Sequence, residues 1–462
     1  MTSASLSVHP IPFCDPAAAF QPLAATPMSV LLDSALPGNQ ARFSYIAVDP
    51  FRVIRCANRP WATSIDGIPH AGDPLTILAA ELAAFKIEAG NAPTPFFGGA
   101  VGFFAYELGG ALERLPAPKS AATVPTEDMV VGLYDTVAAF DLEKREAWVL
   151  TLDFPQNDGR TPPGVRAERL AAALGTRSIV PAKTPGAWRA ETQRARYERN
   201  VIETIDAIRA GDIYQANISQ RFLADAPKGT DSYALYLRLR DVSPAPFAAF
   251  LNMGDGLHIL SASPERFLQA DHQGRIETRP IKGTRPRGST PREDQRMAAD
   301  LVASGKDRAE NLMIVDLLRN DLARVCIPGS ISVPVLCGLE TFPTVHHLVS
   351  VVTGRLRAGI TSVDLLRATF PGGSVTGAPK IRAMEIIHAL ETAPRGPYCG
   401  AIAWLGFDGA MDSSIVIRTI VRVNDTLVAQ AGGGIVAESD PSREYEESLT
   451  KVNPLLGLLR DN

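Results

Sequence analysis

The sequence predicts an α+β protein, antiparallel strands with segregated helices, and three observations carry that reading. Period-two runs joined by turn signals fill much of the chain. Strands and helices follow one another without a regular βαβ rhythm. The 462 residues also exceed what one hydrophobic core usually organises, so the chain forms two domains or one unusually large composite.

Taken in order, MVVGLYDTVAAFDL (129–142) and REAWVLTLDF (145–154) alternate as strands, the second ending before a proline. Between Asp153 and Gly186, proline and glycine gather around a short Ala/Leu-rich helical piece, as in a connection. This sets a soft boundary near 190, between an amino-terminal region (1–190) and a catalytic region (191–462). A helix follows, because Tyr197, Val201, Ile205 and Ile208 recur at helical spacing and Gly211 stands at its end. FAAFLNMGDGLHILSAS reads as a hairpin turning near Asp255 and Gly256. SGKDRAENLMIVDLLRND and VTGAPKIRAMEIIHALE read as helices, with Pro379 in the first turn of the second.

Composition excludes several function classes. A net charge of -4 gives no global field for a polyanion, so no nucleic-acid partner is expected. Five scattered cysteines, never in CxxC spacing, argue against a disulfide framework or a zinc site and fit a reducing cytoplasm. No apolar run approaches the ~18 residues of a membrane span, and the amino terminus lacks a signal-peptide pattern.

Chemistry is concentrated in a few segments. In KDRAENLMIVDLL, Asp307 and Glu310 project from one helix face that continues into an apolar stripe through Ile314 and Leu317. SREYEESLTKVNPLL repeats the spacing with Glu444 and Glu447, and Lys451 lies one turn beyond. Such pairs are mostly solvated, but if the two helices meet, their like charges call for an oxygen-loving divalent cation such as Mg2+. VAQAGGGIVAE places Gly432, Gly433 and Gly434 after a strand, where bare backbone N–H groups can approach an anion. Arg418, inside the apolar alternation SSIVIRTIVRV, is either an edge residue facing water or a buried carboxylate clamp. His346 and His347 lack a third ligand at metal spacing and read as satisfied structural histidines. RPIKGTRPR, with Lys282, reads as a solvated basic loop or as the setting of a nucleophile.

The set GDIYQANISQRF, SASPERF, RPIKGT, KDRAENLMIVDLLRND, FPTVHHLVS, FPGGSVTGAPKIRAMEII, SSIVIRT, QAGGGIVAESD and EYEESLTKVN closely resembles the chorismate-utilising enzymes, in the family's order, over about residues 195–455. SVLLDSA, RFSYIAVDP and FFGGAVGFFAYEL extend a thinner likeness toward the amino terminus. The resemblance implies one composite α+β fold of two large, mostly antiparallel sheets packed together with helices outside. It implies Mg2+ on Glu310 and Glu447, with Asp307 and Glu444 acting through water. It further implies substrate contacts from Gly283, Thr284, Tyr398, Arg418, Gly432 to Gly434 and Lys451, and a general acid at Glu265. Lysine at 282, where anthranilate-forming relatives carry a small residue, implies amination of chorismate at ring carbon 4 through a covalent Lys282 adduct. The ammonia would come from a separate glutamine amidotransferase subunit. Gln215, where water-adding relatives tend to carry lysine, disfavours water as the nucleophile. LLDS and PAPF resemble parts of the family's tryptophan pocket, with Ser34, Pro246 and Phe247 as its candidate residues.

A lysine nucleophile must be neutral, yet an amine of pKa ~10.4 is mostly protonated at neutral pH, and lowering it by ~3 units takes about 4 kcal/mol. Desolvation beside Ile281, with Arg279 and Arg285 near in sequence, pushes that way. Glu265 has the opposite requirement and must keep its proton near neutrality, which burial favours.

Overall fold

The computed structural model describes residues 4–459, apart from 39, 58–60, 89, 117–122, 157–158, 176–185, 228 and 343–344. The connection expected between Asp153 and Gly186 therefore lies partly outside the described residues. Two twelve-stranded sheets carry the chain. Along the first lie Ser5–Ile11, Glu146–Asp153, Thr136–Asp141, Phe43–Ala47, Ser29–Asp33, Phe247–Asn252, Leu257–Ser263, Thr419–Val423, Thr426–Ile435, Gln215–Asp225 and Arg189–Ala190. Along the second lie Ile281–Pro286, Val345–Arg355, Arg275–Thr278, Arg266–Ala270, Met411–Ile415, Ala401–Gly406, Gly99–Phe104, Met129–Tyr134, Arg52–Cys56, Thr63–Ile65 and Ile68–His70. Neighbouring strands pair antiparallel.

Residues on both sides of 190 supply strands to both sheets, so the shift in composition there does not separate two independently packed bodies. The chain instead passes from sheet to sheet. The run 129–142, expected as a continuous alternation, is two strands: Met129–Tyr134 lies in the second sheet and Thr136–Asp141 in the first. Every residue of both is buried, so the pattern along the sequence does not show the change of sheet. Asp135 sits at the crossing, buried and paired with Arg160 and Arg166. SSIVIRTIVRV is divided in the same way: Met411–Ile415 and Thr419–Val423 belong to different sheets, and Arg418 lies between them at φ 52°. A third crossing, from Leu257–Ser263 to Arg266–Ala270, contains Glu265.

One core draws on both sheets, through Tyr45, Leu251, Phe103 and Leu405 among others. A second, with Phe20, Tyr236 and Phe250, includes residues of the helices Pro16–Phe20, Pro163–Ala173 and Ser232–Val242. In a third, Tyr197, Val201 and Ile205 of the helix Arg194–Arg209 join Ile218 and Ile387. Each such side chain contributes roughly 1.5–3 kcal/mol when fully buried.

The hairpin forms between Phe247–Asn252 and Leu257–Ser263, with Asp255 and Gly256 at positive φ in its turn. The helix Gly305–Ala323 begins at Ser304, whose hydroxyl accepts from the Asp307 N–H. Pro379 is the N-cap of Lys380–Leu390 rather than a residue of its first turn: its ψ of 140° is extended, so helical geometry starts one residue later than expected. Among the described residues, no helix is long and apolar enough to cross a membrane.

Candidate active site

Lys282 owes its placement to a bulge. In the pairing of Ile281–Pro286 with Val345–Arg355, Ile281 faces Val349 while Thr284 faces His347, so one extra residue is accommodated between them. Such an insertion re-aims side chains. It requires Gly283 at φ 86°, and a Cβ there would lie 2.9 Å from the Asp307 Cβ, so glycine also permits the helix Gly305–Ala323 to pack close. The Lys282 ammonium donates to the Ser374 carbonyl at 2.9 Å. Burial lowers its pKa; Glu310 and Glu265 oppose that, and Lys451 reinforces it. The arginines near in sequence are engaged elsewhere, Arg279 with Glu340 and Arg285 with Asp307. Desolvation is therefore the main cause of the shift.

Glu265 is 5% exposed. Burial raises its carboxyl to about 7, while the Ser374 hydroxyl, the Lys282 ammonium and the Ile281 N–H pull the other way. Ser374 thus touches both reactive groups, and the Asn217 amide holds its carbonyl at 2.7 Å. The sequence reading missed Ser374. Its only signal was its place within FPGGSVTGAPK.

The two acidic helices do meet. Lys306 Nζ lies 4.0 Å from Glu310 Oε1 and 3.7 Å from Glu444 Oε1, linking Gly305–Ala323 to Pro441–Gly457. Glu444 is buried, accepts from Ser439 Oγ at 2.7 Å and faces Gly433. A Cβ at Gly433 would stand 3.2 Å from Glu444 Oε2, 3.6 Å from Lys451 Nζ and 3.8 Å from Glu447 Oε1. The glycine therefore keeps open a cradle lined by two carboxylates and an ammonium. Lys451 donates to Gly432 O at 3.1 Å and pairs with Glu447 at 2.8 Å, which holds the Glu447 pKa down. Burial raises that of Glu310. Asp307 turns instead to Arg285, at 2.9 Å. Among the described residues, no group of three or more His, Cys, Asp or Glu is arranged to hold a metal. Mg2+ takes only one or two carboxylates and keeps its waters, so Glu310 and Glu447 fit it by donor chemistry without a third direct ligand, Glu444 being held by Ser439.

On the other side of Lys282, Thr284 Oγ1 lies 2.8 Å from His347 Nδ1. Burial and the Arg418 charge hold His347 down at about 4, so the imidazole is neutral. The other histidine, His346, is held by Thr341 and Asp294. Arg418 is itself desolvated and pairs with no carboxylate among the described residues; the group acting on it is Tyr398. Of its two sequence readings, the clamp fits better, because a desolvated guanidinium without a counter-ion is suited to an incoming carboxylate. Gly432 to Gly434 lie inside the strand Thr426–Ile435, not after a strand, paired with Ser219, Ile218 and Asn217. A Cβ at Gly434 would overlap the Gln215 amide. That amide is fully buried, and neither its nitrogen nor its oxygen has a partner among the described residues.

An opening of about 610 Å³, lined in part by Tyr214, Lys306, Met313 and Val436, reaches Glu310. A separate cavity of about 240 Å³ contains Ser34, Pro246 and Phe247 in its wall, with Asp33, Tyr45 and Trp404. Asp33 is bound by Arg240 and Tyr236 through one oxygen, and its other oxygen is buried without a partner among the described residues.

A family model describing chorismate binding enzymes matches residues 31–457. The chain is 44% identical to aminodeoxychorismate synthase component 1 of Klebsiella aerogenes, over 95% of each chain. It is 40% identical to anthranilate synthase component 1 of Thermus thermophilus, over 93% of this chain and 92% of that one. The crystal structure of anthranilate synthase component I from Streptococcus pneumoniae superposes with a TM-score of 0.79 at 33% identity, covering 92% of this chain and 94% of that one. With the two-sheet fold, the match along nearly the whole sequence and these relatives in agreement, the chain belongs to the chorismate binding enzyme family.

Proposed function

We propose that the protein converts chorismate and ammonia to 4-amino-4-deoxychorismate and water, the aminodeoxychorismate synthase reaction that serves p-aminobenzoate and folate synthesis. The observation that carries this reading is Lys282, set by a bulge against Ser374, which it shares with Glu265, its own pKa lowered by burial and that acid poised near neutrality. In its neutral form, the Lys282 amine adds to ring carbon 2 as the ring double bonds shift and the 4-hydroxyl departs. Glu265 gives its proton to that hydroxyl, which leaves as water. Ammonia then attacks carbon 4, the double bonds shift back and Lys282 leaves, while the ionised Glu265 takes up the surplus proton. The enolpyruvyl group stays in place.

Arg418 and Lys451 supply charge for the substrate's two carboxylates, and the buried Gln215 amide offers a donor and an acceptor beside Gly434. Glu310 and Glu447 would hold Mg2+, with Glu444 acting through water; Asp307 would do so only on leaving its ion pair with Arg285. Bound there, the ion supplies positive charge against a substrate carboxylate. The ammonia would come from a separate glutamine amidotransferase subunit. The 240 Å³ cavity would take L-tryptophan, with Asp33 in its wall. A reducing cytoplasm suits the five unpaired cysteines.

A second reading, anthranilate formation, is favoured by relatives of that name at similar identity. Incubating the protein with chorismate, Mg2+ and an ammonium salt separates the two. A non-aromatic amine that a lyase converts to p-aminobenzoate supports the proposal, and fluorescent anthranilate overturns it.

A further inference from the structure

Lys306 has no assigned role, although it stands where the two acidic helices meet. Its ammonium is 3.7 Å from Glu444 and 4.0 Å from Glu310, beyond hydrogen-bond length to either, and its side chain is 51% exposed at the mouth of the cleft. Glu444 is almost fully buried and Glu310 mostly so, so their negative charge requires compensation whether or not a metal is bound. An exposed lysine held by charge alone is a weakly bound partner. Lys282 and Lys451, the other cations near these carboxylates, are tied by hydrogen bonds to Ser374 O and Gly432 O. Lys306 can swing away without breaking one.

We propose that Lys306 is an exchangeable counter-ion of the carboxylate cradle: it neutralises Glu310 and Glu444 in the metal-free protein, competes with Mg2+ for them, and is displaced into the mouth of the cleft when the ion binds. The inference rests on the Mg2+ reading above. It makes Lys306 a determinant of metal affinity, and its effect weakens as salt screens the exposed charge.

Calorimetric titration of the full chain with MgCl2 at low ionic strength tests it, using wild type, Lys306→Gln, Lys306→Arg and Glu310→Gln, with melting in EDTA as a second readout. Lys306→Gln should bind Mg2+ about fivefold more tightly, the fold-change corresponding to about 1 kcal/mol. Lys306→Arg should stay close to wild type. In EDTA, Lys306→Gln should melt below wild type, and Mg2+ should raise its melting temperature by more. If Glu310→Gln weakens binding while Lys306→Gln leaves it unchanged or weaker, the counter-ion role is wrong and the metal site stands. If Mg2+ does not bind the wild type, both readings fall.

Discussion

Replacing Glu265 with Gln should remove a pH dependence of stability that can be calculated from the burial of this one carboxyl. The group is raised from its ordinary 4.5 to about 7. Between those two values the folded chain holds a proton that the unfolded chain has lost, so stability falls as pH rises through the window. With about 1.36 kcal/mol per pKa unit, the full effect is about 3.4 kcal/mol, of which the wild type loses about 3 kcal/mol between pH 4.5 and well above 7. Gln keeps the shape, and its carbonyl can still accept from the Ser374 hydroxyl and the Ile281 N–H, but it does not titrate. Urea unfolding of both proteins at intervals from pH 4.5 to 8.5 cancels, in the difference, the groups that are not coupled to Glu265, Lys282 being the coupled one. The wild type should therefore lose about 3 kcal/mol relative to Glu265→Gln, mostly above pH 5. A difference flat to within about 1 kcal/mol would refute the argument that burial keeps this acid protonated near neutrality.

Other perturbations address the remaining parts of the site. Lys282→Ala should abolish any substrate adduct seen by intact mass and lower turnover with ammonia by several orders of magnitude, because the nucleophile is removed. In the wild type, kcat/KM should fall as pH rises through about 7 and Glu265 ionises, a limb that should be missing from the residual activity of Glu265→Gln. Gly433→Ala should weaken Mg2+ binding moderately, since its Cβ would press only on the side-chain ends of Glu444 and Lys451, whereas Gly433→Val should fill the cradle and eliminate binding in the same titration. Tryptophan should quench or shift the fluorescence of Trp404 in the wild type, and Asp33→Asn should weaken that response at least about tenfold, since a buried charged acceptor is lost.

The sequence exposed those parts of the site that lie on regular elements. Glu310 and Glu447 stand at helical spacings that survive into the fold, and the α+β class follows from alternation and the lack of a βαβ rhythm. The two-sheet arrangement was legible only through the resemblance of whole motifs, and the roles proposed for Lys282 and Glu265 rest on that resemblance too. What stayed hidden depends on contacts far along the chain. Arg418 reads as one position in a continuous strand, because a change of sheet at a single residue leaves no mark in a run buried almost throughout. Ser374 bridges Lys282 and Glu265 through one carbonyl and one hydroxyl, and no local pattern reports that. Arg279 and Arg285 looked like neighbours of Lys282 because they are adjacent in sequence, but strand geometry and the ion pairs with Glu340 and Asp307 turn them elsewhere.

The passages of the backbone from one sheet to the other have a consequence for how the enzyme comes into being. Glu265 and Arg418 each occupy such a passage, so neither acquires its surroundings until both layers have closed over it. A half-assembled molecule therefore lacks the surroundings of both residues, and a version cut near residue 190 should yield two insoluble fragments rather than two folded units.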